Sequence, residues 1–202
     1  MNNVLVAFNS RPDDAACSFF QGCADEARQI CFDLRIPITS KTGEGFTEQN
    51  IMDAMSSHSF CIFAAHGSPD SIVNENGDEV ISIRTTNYAL KGKGLYAISC
   101  RCGLCLMPEL RRIGIEMFTG YKDDFMFSGD ESVFVNCALS GFRSFLQGNS
   151  LDQVKNDMYA AFDEAIQNAE NSEDVFIKMY LLHDKEALVF HGSPDLTFAT
   201  LI

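Results

Sequence analysis

Two short stretches of the chain carry residue types that could do chemistry together. Phe60-Cys-Ile-Phe-Ala-Ala-His-Gly67 is an apolar run ending in a histidine and a glycine, and Leu95-Tyr-Ala-Ile-Ser-Cys100 is a second run ending in a cysteine. A thiol attacks as its thiolate, so it needs a base, and imidazole exchanges protons near physiological pH. His66 can take or share the Cys100 proton and later return one to a leaving amine. Gly67 has no side chain, so its N–H can approach a substrate oxygen closely, with the N–H of Cys100 as a second oxyanion donor. A histidine and a cysteine taken at random more often end a strand and fill a core. Here both terminate apolar runs of strand length, and a glycine follows the histidine.

Those runs must be placed by a scaffold. Buried segments of this length, rich in Ile, Phe and Tyr, read as interior strands of a parallel sheet. Ligands and reactive groups collect just beyond the carboxyl ends of such strands, so His66 and Cys100 can meet although they are far apart in sequence. The chain opens with another apolar run, Val4 to Phe8, and a turn at Asn9 to Pro12. Asp13 or Asp14 can then cap a helix to about Leu34. Residues 35–39 suit a short or edge strand, because Pro37 cannot donate to a ladder. Thr47 heads a short helix, and Asn76-Gly77 signals a hairpin between residues 72 and 81. Downstream, the pattern gives a helix at 108–112 ended by Gly114, a strand at 115–119 and a loop at 121–129. Three amphipathic helices follow, from about 130, 150 and 172, and a last strand covers 186–190. Alternating strands and helices make this an α/β sandwich with a mostly parallel central sheet flanked by helices.

Composition narrows the setting. At 202 residues the chain reads as one domain, 1–202, and 46% hydrophobic residues suffice for a sizeable core. The net charge of −13 argues against nucleic acid as a partner. No apolar stretch approaches the roughly 18 residues of a membrane span, and no signal peptide precedes the first strand. A cytoplasmic protein, with no membrane partner, is the expectation. In that compartment the eight cysteines read mainly as small hydrophobes rather than a disulfide framework.

The order of these features resembles the caspase-like cysteine proteases of clan CD. The resemblance is carried by a hydrophobic block ending in His66-Gly67, a hairpin, and a second block ending in Ser99-Cys100. It continues through Gly103, Gly114, the strand reaching Phe118, and the paired helical patterns from Phe134 and Ser150. It ends at Phe190-His-Gly-Ser-Pro-Asp-Leu196, which is similar to the closing segment of many bacterial CHAT-type and gingipain-type domains. The likeness is closer to these and to separase-like peptidases than to caspases. It implies a caspase-like three-layer sandwich and a cysteine endopeptidase acting through a thioester. His66 and Cys100 would be its catalytic pair and Gly67 an oxyanion donor, with no cofactor and a protein or peptide substrate. An activating partner protein belongs to the same implication. Arg101-Cys-Gly-Leu-Cys105 departs from the small and polar residues that many relatives carry there.

Substrate choice would come from side chains around that pair. In separase-like and CHAT-like relatives an aspartate placed like Asp130 serves a pocket for a basic residue before the cut, and Asp123 and Asp124 lie in the same loop. Such a contact would be charge-assisted. Asp130 can equally cap the following helix, and Asp13 and Asp14 are a second acidic choice. A pocket for acidic residues would instead use Arg11, Arg84 or Arg101. Two other readings come from different classes. Cys100, Cys102 and Cys105 could ligate zinc, although a structural site wants four ligands and no second Cys-x-x-Cys exists. Alternatively, the chain is a binding or scaffold module that keeps the fold without catalysis. His183 and His191 read as surface or structural residues.

Overall fold

The computed structural model describes residues 3–84 and 88–201; residues 85–87, where the sequence suggests no element, lie outside it. A six-stranded sheet runs through the centre in the order β2-β1-β3-β6-β7-β8. Its strands are β1 (Val4–Phe8), β2 (Ile38–Lys41), β3 (Phe60–Ala64), β6 (Gly94–Ile98), β7 (Met117–Tyr121) and β8 (Leu188–His191). All neighbours pair in parallel except β8, which runs antiparallel to β7. β4 (Ser71–Val73) and β5 (Glu79–Ser82) form a separate antiparallel hairpin. The helices are α1 (Cys17–Asp33), α2 (Glu48–Met55), α3 (Leu106–Ile113), α4 (Glu131–Leu146), α5 (Leu151–Asn171) and α6 (Val175–Ala187).

Side-chain alternation explains the three layers. β1, β3, β6 and β7 are buried at every position, and successive side chains of a strand point to opposite faces. Val4, Val6, Phe60, Ile62, Tyr96 and Ile98 join the core made with α1, α4, α5 and α6. Leu5, Ala7, Cys61, Phe63, Leu95 and Ala97 join the core made with α2, α3 and the hairpin. Both faces are therefore covered, as continuous apolar strands require. The observed fold is a three-layer α/β arrangement with a mostly parallel sheet. Among the described residues, no helix is long and apolar enough to cross a membrane.

Local chemistry sets the element ends. Thr47, Asp130 and Ser150 cap α2, α4 and α5 by accepting backbone N–H groups of the first turn. Gly114, at φ 93°, closes α3 in the left-handed conformation that glycine adopts without penalty. α1 begins at Cys17 rather than at Asp13 or Asp14, and its N-cap Ala16 supplies no side-chain bond. β7 starts two residues later than the apolar pattern suggests, since Ile115 packs with the α3 core before the strand begins.

Phe60 shows how much a single side chain contributes. It is fully buried in β3, stacks on Phe142 and lies within 5.2 Å and 5.9 Å, centroid to centroid, of Phe145 and Phe198. Phe60→Ala is expected to lower the unfolding free energy by about 3–5 kcal/mol through lost burial and the cavity left behind. Urea denaturation should show a lower midpoint at an unchanged m-value.

Candidate active site

Register brings the site together. Phe8 pairs with Ala64 and Ala64 with Ile98, so three adjacent chains leave the sheet at one level. Beyond β1 the chain delivers Asp14, beyond β3 it delivers His66 and Gly67, and beyond β6 it delivers Cys100. The loop after β7 adds Phe125 and Phe127. A parallel sheet collects functional groups at this edge because every connection departs there in the same direction.

Asp14 and His66 are locked to each other. His66 Nε2 lies 2.5 Å from Asp14 Oδ2, and Asp14 Oδ1 accepts the Ala16 N–H at 2.9 Å. The ring also stands edge-on to Phe20, with centroids 5.1 Å apart. Burial pushes the Asp14 carboxyl up, but the Ala16 N–H and the His66 ring together outweigh it and hold the group below its ordinary value. An ionised partner at Nε2 fixes the proton there and leaves Nδ1 free to accept one. Sequence reasoning treated Asp14 as a helix cap or a substrate-pocket acid and missed this pairing. The available signal was its place just beyond a strand that neighbours the histidine's.

Cys100 is half-buried, and its Sγ accepts the Phe125 N–H at 3.4 Å. Burial raises the thiol pKa, the Phe125 N–H opposes that, and the nearby Asp124 adds to it. Burial thus favours the neutral thiol over the thiolate. Arg101, the next residue, takes φ 58°, a left-handed conformation uncommon for any side chain but glycine. Two bonds hold it there. Its N–H donates to Asp123 O at 3.0 Å, and its guanidinium lies 2.5 Å from Asp124.

Gly67 presses directly on this turn. A Cβ at residue 67 would lie 2.5 Å from Cys100 O and 2.9 Å from Ser99 Cβ, so only glycine fits. Gly67 also faces Ile72 in an antiparallel bridge flanked by Val73 N–H to His66 O and Ser68 N–H to Ser71 O. In a non-hydrogen-bonded pair of this kind the residue's own N–H points away from its partner strand. Among the described residues, neither the Gly67 N–H nor the Cys100 N–H donates to a backbone carbonyl.

His66 and Cys100 line one cavity of about 120 Å³. Its other walls are mainly apolar and include Ile98, Phe19, Phe20, Phe125 and Phe127. On the far side of His66 lies a polar recess bordered by Arg11, Asp13 and Glu75. The expected substrate-binding residues take other places. Asp130 is fully exposed and accepts the N–H and hydroxyl of Ser132 at 3.0 and 2.6 Å. Asp124 pairs with Arg101, and none of the three borders the cavity. Cys102 is buried with its thiol donating to Ser99 O, and burial pushes it up to about 12. Cys105 is exposed. Among the described residues, no three His, Cys, Asp or Glu side chains are grouped as metal ligands.

α6 holds the loop that meets Cys100. His183 Nε2 donates to Asp124 O at 2.9 Å, and Asp184 Oδ1 accepts the Met126 N–H at 2.9 Å. Asp184 is fully buried, and its second oxygen has no partner among the described residues. Burial pushes its carboxyl up to about 8 against the opposing Met126 bond. An aspartate in an unfolded chain titrates near pH 3.9, so between about pH 4 and 8 the folded state keeps a proton that the unfolded chain releases. Stability from this group is full below that window and falls as pH rises through it. Asp184→Asn removes the titration. The urea midpoint of the variant relative to wild type is therefore expected to be higher at pH 8.5 than at pH 5, and a reversed order would contradict a buried, protonated Asp184.

No protein-family model matches the chain, and no curated protein matches it in sequence. What the site can do is read from its own geometry.

Proposed function

We propose that the chain is a cysteine endopeptidase with a caspase-like fold. The observation that carries this reading is the shared cavity of His66 and Cys100, with Gly67 packed against the Cys100 backbone and two peptide N–H groups left without backbone acceptors. Cys100 Sγ attacks the carbonyl carbon of a peptide bond while its proton passes to His66 Nδ1. The N–H groups of Gly67 and Cys100 accept the charge that develops on the carbonyl oxygen. As the tetrahedral intermediate collapses, the C–N bond breaks and His66 returns the proton to the leaving amine. The acyl group stays on sulfur as a thioester. Water then attacks this ester, His66 takes a proton from the water and passes it to the departing sulfur, and a carboxylic acid leaves.

Asp14 acts as the positioning residue, engaging Nε2 and leaving Nδ1 to take the Cys100 proton. The neutral resting thiol fits proton transfer concerted with attack, since burial opposes a standing thiolate.

A casein or peptide-library cleavage assay tests this reading. Cys100→Ala is expected to abolish cleavage with the fold retained by circular dichroism. His66→Ala should lower kcat/KM by roughly 10²–10⁴, the range a general acid–base group supplies. Asp14→Asn should reduce kcat by a smaller factor, with KM little changed. Undiminished proteolysis by the Cys100→Ala protein would sink the assignment. A binding module with an inert site would instead react with peptidyl electrophiles no faster at Cys100 than at Cys105.

A further inference from the structure

We infer that the site selects a bulky apolar side chain, of leucine, methionine or phenylalanine size, on the residue whose carbonyl Cys100 attacks. This rests on the peptidase reading above and departs from the basic preference expected of Asp130 and Asp124.

The first ground is position. The side chain of the attacked residue begins two bonds from the carbonyl carbon, so it must fall into space that Cys100 itself borders. The cavity lined by Cys100 and His66 is such a space. The second ground is chemistry. Phe19 and Phe20 come from α1, Phe125 and Phe127 from the loop after β7, and Ile98 from the end of β6, and apart from His66 no titratable side chain but Cys100 itself lines the cavity. A lysine or arginine head buried there would find no carboxylate in the lining, and the nearby Asp14 is taken up by His66 and the Ala16 N–H. Asp124 is engaged by Arg101 and Asp130 by Ser132, while Asp13 and Glu75 border the separate recess beyond His66.

The third ground is size and rigidity. Phe19 stacks on Phe125 at 5.1 Å and on Phe127 at 4.3 Å, so the aromatic wall is braced from both elements. A volume of about 120 Å³ is somewhat below the roughly 150 Å³ apolar cavity known to bind benzene. With an open mouth it suits a branched aliphatic side chain or one phenyl ring. Each added methylene in such a pocket changes selectivity by about 10- to 200-fold, so leucine should exceed alanine by at least tenfold.

Tripeptidyl acyloxymethyl ketones that differ only in the residue bearing the ketone (Leu, Phe, Ala, Arg or Asp) test this. The rate of Cys100 modification is read by intact mass and peptide mapping. In wild type, Leu and Phe are expected to react at least tenfold faster than Ala, with Arg and Asp slowest. Ala16→Leu, which narrows the cavity, should bring the Leu-to-Ala rate ratio down towards one. Phe127→Ala, which widens it, should favour Phe over Leu. Arg or Asp reacting fastest with wild type, or a Leu-to-Ala ratio that neither variant moves, overturns the apolar pocket while leaving the peptidase reading standing. If no ketone modifies Cys100 faster than Cys105, the peptidase reading itself fails and takes the pocket with it.

Discussion

The site depends on the approach of two backbones. Residue 67 meets the chain at Ser99 and Cys100 so closely that no Cβ could stand between them. That approach follows from register, because β3 and β6 pair in parallel up to Ala64 and Ile98 and release their chains side by side. It brings the histidine's strand exit to the cysteine's and leaves the Gly67 and Cys100 N–H groups, among the described residues, without backbone acceptors. Arg101 absorbs the resulting turn in a left-handed conformation, at a cost on the order of 1 kcal/mol that its bonds to Asp123 and Asp124 offset. The surroundings of Cys100 are thus built on backbone geometry, with side chains added to it.

Desolvation pushes Asp14, Cys100 and Asp184 alike towards their neutral forms, and their bonding partners decide the outcome. Cys100 and Asp184 are both held towards their neutral forms by burial. Asp14 is part-buried and favours its charge, because the Ala16 N–H and His66 solvate it in place of water. The difference lies in the depth of burial and in the number of donors. Asp14 has a partner on each oxygen, whereas Asp184 has one N–H for two oxygens. One carboxylate therefore holds the His66 ring by its charge, while the other holds a loop by accepting a single bond.

Much of the scaffold was legible because it rests on local patterns. The apolar runs at Val4, Phe60 and Leu95 are strands buried on both faces, and Thr47, Asn76-Gly77, Asp130 and Gly114 sit at the turns and caps their chemistry favours. His66, Gly67 and Cys100 were also legible, since each follows such a run. Asp14 was not, because an aspartate after a strand suits a helix cap as well as a partner across the sheet, and only the strand order decides between them. Asp130 takes the cap that its local pattern favours. His183 and Asp184 reach their loop across nearly sixty positions, a contact that no periodicity announces. The cavity's character was hidden for the same reason, as its aromatic wall is assembled from α1 and the loop after β7.

The hold of α6 on the loop at residues 124–126 has a consequence for how the protein comes into being. A chain made from its first residue onwards has His66 and Cys100 long before His183 and Asp184 exist. Until that helix is made, the backbone that presents its N–H to the thiol lacks two of the bonds that hold it. The last helix thus completes the hold on the loop beside Cys100, and a half-made molecule carries His66 and Cys100 before that hold is in place.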